Sequence, residues 1–70
     1  MNIAELDLKE FGLKLAKKRI EKDMSAHAVS RLIGKNKNYI AMVEAGKINL
    51  SLKSFIEICQ ALEINPKDMF

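Results

Sequence analysis

The chain has 70 residues, 49% hydrophobic and 30% charged, with a formal net charge of +3, one Cys and one His. That length supports one small core, and helix formers beside one Pro and three Gly point to an all-α fold, with residues 1–70 forming one domain. A lone Cys excludes an internal disulfide, one Cys with one His is too few for a zinc site, and no apolar run is long enough to span a membrane. The expectation is therefore a cytoplasmic protein with no cofactor, no metal and no membrane partner.

Start signals along the chain predict five helices. Asp7 with Glu10 forms a capping box for the first, with Leu6 stapled onto Phe11, and Asn2 with Glu5 is a rival start. This helix runs to about Lys22, with Leu8, Phe11, Leu15 and Ile20 on or near its inner side. Ser25 caps the second helix, Met24 and Val29 form its staple, and Val29, Leu32 and Ile33 form its apolar stripe. Gly34 supplies the positive φ that ends it. Asn36 starts the third helix, which ends at Gly46 and returns Ile40 and Val43 to the core. Ser51 starts the fourth, with Leu50 and Phe55 as staple and Leu52, Phe55, Ile56, Cys59 and Leu62 facing in. Asn65 caps a short last helix with Pro66 in its first position, where proline is favoured, and Ile64 and Met69 close it.

Charge is distributed unevenly over these elements. From Lys14 to Lys47 nine basic residues stand against three acidic ones, whereas the rest of the chain carries three basic and six acidic. The positive segment holds helices two and three and the helix before them, which suits a polyanion better than it suits an evenly solvated surface. Helices two and three, separated by a short turn, form a helix-turn-helix. Its second helix presents Lys37, Asn38, Ala41 and Met42 outward, and Lys and Asn at an exposed helix start are groups that read guanine and adenine edges in a major groove.

Over residues 11 to 70 the chain resembles the phage repressor and Cro-type (XRE family) helix-turn-helix DNA-binding domains. The resemblance is carried by Phe11-Gly12, Arg19, Met24-Ser25, Val29-Ser30, Gly34, Ile40, Glu44-Ala45-Gly46-Lys47, Ser51-Leu52, Ala61-Leu62 and the ending Asn65-Pro66-Lys67-Asp68-Met69-Phe70. It implies a compact five-helix bundle of the lambda-repressor-like type, in which helix two crosses the DNA backbone and helix three enters the major groove. Lys37, Asn38 and Met42 match the family's base-reading positions. Lys35, Lys47 and Asn49 match loop positions close to phosphates, and Asn36 and Tyr39 are phosphate candidates at the start of helix three. At Ala26 and His27 the start of helix two would aim backbone amides at a phosphate. Arg19 and Glu44 match a structural ion pair tying helix one to the end of helix three, and Ser30 stands where a small residue lets helices two and three approach.

Two departures bear on function. The family commonly has glutamine at the position of Ala26 and proline at that of Leu50. Losing the glutamine removes one phosphate anchor, and His27 is the adjacent candidate to replace it. Met42 suits either thymine methyl groups or a protein-binding surface. The expected function is thus a sequence-specific DNA-binding regulator, a repressor, that acts on double-stranded DNA; the alternative is the same fold used as a protein-interaction module, as in antitoxins. A single module covers too little groove for selectivity, so a homodimer on a palindromic site is expected, paired through Met69-Phe70 or through the loop around Ile48 and Leu50. Catalysis is not expected: Cys59 falls on an inner helical stripe away from His27, the acidic residues are scattered, and no glycine-rich phosphate loop occurs.

Overall fold

The computed structural model describes the backbone of residues 3–69 and the side chains of residues 8–69. Four α-helices and a terminal 3-10 turn follow one another: α1 Ile3–Glu21, α2 Ala26–Leu32, α3 Tyr39–Glu44, α4 Leu52–Leu62, and Pro66–Met69. The expected fifth helix is this 3-10 turn. Asn65 does cap it, its side-chain oxygen accepting from the Lys67 N–H at 3.1 Å, but only four residues follow before the described chain ends.

Two predicted starts need correction. Asp7 lies inside α1, so the Asp7–Glu10 box does not begin that helix, and the rival cap Asn2 and the Leu6 staple lie outside the described residues and side chains. Asn36 does not cap α3. Its side-chain oxygen accepts from the Asn38 N–H at 2.9 Å and its carbonyl accepts from the Tyr39 N–H at 2.9 Å, which makes a turn that delays the helix until Tyr39. The other caps stand as expected: Ser25 accepts from Ala28 N at 3.0 Å and Ser51 from Ser54 N at 3.1 Å.

All four α-helices close in one way. In each, a residue with φ between 55° and 73° follows the last turn, and these residues are Asp23, Gly34, Gly46 and Glu63. The N–H of that residue and the N–H of the next then reach back to the final carbonyls. At the end of α2, for example, Gly34 N donates to Arg31 O at 3.1 Å and Lys35 N to Ser30 O at 2.9 Å. Gly34 is open on the side where a Cβ would sit, so its backbone conformation alone calls for glycine.

The core comprises Leu15, Val29, Ile40, Val43, Phe55, Ile58, Cys59, Leu62 and Met69. Phe11 packs edge-on against Phe55, with ring centroids 5.3 Å apart at 66°. Three residues expected inside are instead exposed: Ile20 at 62%, Leu32 at 62% and Leu52 at 75%. Each lies in the first or last turn of its helix, at the end of the apolar stripe. Ile58, fully buried, takes an inward place on α4.

Candidate nucleic-acid interface

Three sets of contacts fix α3. The first is the absence of a side chain at Gly12. A Cβ there would overlap the Glu44 carbonyl oxygen and lie 2.9 Å from the Val43 carbonyl oxygen, so α1 and α3 touch backbone to backbone. The second is Ser30, fully buried on α2. Its hydroxyl donates to the Ala26 carbonyl at 2.8 Å and accepts from the Ile40 N–H at 3.0 Å, satisfying an amide in the first turn of α3 that has no partner within the helix. Small size at this position was legible from the resemblance; that the hydroxyl bridges the two helices emerges only from the fold.

The third is Arg19. Its Nε donates to Glu44 Oε2 at 2.7 Å and Nη2 to Glu44 Oε1 at 3.1 Å, the fork geometry that suits a guanidinium, while Nη1 donates to the Met24 carbonyl at 2.8 Å. One side chain therefore ties the end of α3 to α1 and to the turn that leads into α2. Both partners are largely shielded, at 17% and 13% exposed, and the bond to Glu44 raises the Arg19 pKa beyond its already high ordinary value despite partial burial.

Held in this way, α3 turns Ile40 and Val43 inward and leaves Lys37, Asn38, Ala41 and Met42 exposed. Ala45 shares that exposed face and escaped the sequence reading, because alanine carries no signal of its own. The Asn38 side chain makes no capping bond, so its amide is free to meet a ligand, whereas the oxygen of Asn36 is committed to the turn. Of the phosphate candidates, His27, Lys35, Asn36, Lys47 and Asn49 are exposed, and Ala26 and Tyr39 are half-buried against the core. The Lys35 ammonium lies 5.4 Å from the centroid of the Tyr39 ring, which places its charge at the entry to α3.

Cys59 is buried, and desolvation pushes its thiol pKa up, as for a core side chain and unlike a nucleophile. Among the described residues no group of three or more His, Cys, Asp or Glu is placed to hold a metal ion, and no helix is long and apolar enough to cross a membrane.

Comparison with known proteins agrees with this arrangement. A family model described as helix-turn-helix matches residues 15–69. Among solved structures, the restriction-modification controller protein C.AhdI from Aeromonas hydrophila superposes with a TM-score of 0.88 at 33% sequence identity, covering 94% of this chain and 96% of that one. A search of curated protein sequences found no significant match. The chain belongs to the helix-turn-helix family of repressor and Cro type, and it is a sequence-specific DNA-binding regulator.

Proposed function

We propose that α3 docks in the major groove of double-stranded DNA, with Lys37, Asn38, Ala41 and Met42 facing base edges. Ala26, His27, Lys35, Asn36, Tyr39, Lys47 and Asn49 then lie along the phosphates. The observation that carries this reading is the bidentate Arg19–Glu44 pair, because it ties down the end of a short helix whose outer face is exposed. Six residues make a helix too short to hold its own direction, so an external brace is what a reading element of this length requires.

We also propose a homodimer on a palindromic site. The molecule measures 33 × 24 × 21 Å, so two copies side by side can seat two α3 helices about 34–36 Å apart, one turn of DNA. Of the two pairing surfaces expected from sequence, the chain end has Met69 buried in the core, and Phe70 lies outside the described residues. The loop with Ile48 and Leu50 is half-buried, and the exposed Leu52 beside it gives this surface its free apolar group. The likeness to a restriction-modification controller protein supports a role in regulating such a gene set.

The test is binding to duplexes selected from a random pool. Lys37→Ala and Asn38→Ala should each relax base preference, costing about 1–3 kcal/mol against the selected site. Footprinting should show a two-fold symmetric site of about two helical turns. Wild-type base preference in both variants would remove α3 from the groove, and a single asymmetric half-site bound equally well would remove the dimer. Failure to bind any duplex at low salt would favour the protein-interaction use of the fold.

A further inference from the structure

The exposed face of α3 is chemically divided. Its hydrogen-bonding side chains, Lys37 and Asn38, both precede the helix, and within Tyr39–Glu44 the exposed residues are Ala41 and Met42. The one charged side chain of the helix, Glu44, is engaged by Arg19. Beyond its first residues, then, this face has no donor or acceptor with which to read a base. It carries instead an apolar patch in which Met42 is 42% exposed, flanked by Ala41 and Ala45. Neither Ala41 nor Met42 is among the buried residues that form the core.

In the major groove, the apolar feature of a base edge is the methyl group on C5 of a pyrimidine. We infer that Met42, seated between Ala41 and Ala45, reads a C5-methyl group, and that binding therefore responds to the C5-methylation state of one pyrimidine in each half-site. The inference rests on the docking proposed above and adds to it. Met42 is four residues beyond Asn38, about 6 Å along the helix axis, so the methyl-bearing pyrimidine lies about two base-pair steps from the base that Asn38 meets. Thymine carries this methyl by default, and 5-methylcytosine presents the same group at the same place. Methionine suits the task because its flexible, polarisable chain can close on a methyl group without a strict geometry.

The experiment uses the full chain and a duplex selected from a random pool. Each thymine of the duplex is replaced in turn by uracil, which removes only the C5-methyl, and each cytosine by 5-methylcytosine, which adds only that group. A single replacement at that position should change affinity by about fourfold, the equivalent of one buried methyl group. A loss with uracil identifies thymine as the source of the methyl, and a gain with 5-methylcytosine identifies a modified cytosine. Met42→Ala, a surface change that leaves the core intact, should abolish that response while keeping the preference that depends on Lys37. Binding that still depends on Lys37 but ignores every C5 replacement overturns the methyl reading and leaves the docking in place. A response that persists in Met42→Ala also overturns it, and failure to select any duplex overturns both.

Discussion

The junction of α1 with α3 and the packing around α4 are built on different physics. Around α4 the contacts are apolar and interchangeable in kind: Phe55, Ile58, Cys59 and Leu62 bury against Leu15, Val29 and Met69. Such packing supplies stability but tolerates small shifts, because dispersion and hydrophobic burial have no strong direction. At the α1–α3 junction the contacts are few and directional. They are a missing side chain at Gly12, a two-pronged guanidinium fork from Arg19, and from α2 a serine hydroxyl that both donates and accepts. The first region keeps the chain folded, and the second decides where α3 points. A helix of six residues needs the second kind of contact, and under the docking proposed above an error of a few degrees would displace its whole outer face.

The largest effect should come from Gly12→Ala. The added methyl would have to displace the Glu44 and Val43 carbonyls, which are backbone and cannot rotate away, so α1 and α3 must separate. Stability should fall by about 3 kcal/mol in urea titration, and binding should remain impaired at temperatures where the variant is folded. A loss under about 1 kcal/mol would show that the two helices are not in backbone contact.

Ser30→Ala should cost about 2 kcal/mol. It strands the buried Ile40 N–H without its acceptor and leaves the hydrophobic contacts nearly unchanged. Amide hydrogen exchange at Ile40 gives the direct measurement: the variant should exchange much faster there than at Leu62 in α4. Uniform acceleration across both regions would contradict the division between them.

Cys59→Ser tests the apolar region, and should destabilise by about 1–2 kcal/mol by placing a hydroxyl in the core without an assured partner. The thiol also makes a pH prediction. Burial raises its pKa above the ordinary 9.0, so this contribution to stability is intact below that pH and declines as pH rises beyond it, because the unfolded chain ionises first. Wild type should therefore lose more stability than Cys59→Ala between about pH 9 and the raised value. Parallel pH curves would place the thiol in water. Rapid reaction with a thiol reagent in the native protein would do the same.

Lys47→Ala belongs to neither region and should have the smallest effect on the fold, within about 0.5 kcal/mol of wild type. It lies exposed just beyond Gly46, on the loop that follows α3. Its loss should weaken all DNA sequences alike and reduce the slope of log affinity against log salt by about one. A change in base preference instead would make Lys47 a reader, and the phosphate assignment would fall.

The residues alone determined the helical class, the positions of α2 and α4, and the outward set on α3, because these follow from local rules. Ser25 and Ser51 cap through their own side chains, Gly34 ends a helix through its own φ, and Ile40 with Val43 set which side of α3 faces in. The resemblance to repressor domains added the Arg19–Glu44 pair, which no local rule links across 25 positions. Tertiary structure alone decided the rest. Ile20, Leu32 and Leu52 fit apolar stripes but are exposed, since periodicity marks a face of a helix and burial depends on what the fold packs against each position of it. Asn36 has the right side chain for a helix cap, yet its oxygen is taken by a turn whose path is set by the contacts between α2 and α3. Gly12 enters the sequence only within the Phe11-Gly12 motif of the resemblance, and the reason for its missing side chain appears when α3 is brought against it. A close approach between distant segments leaves no trace in either segment's own pattern, because the constraint is the space between them.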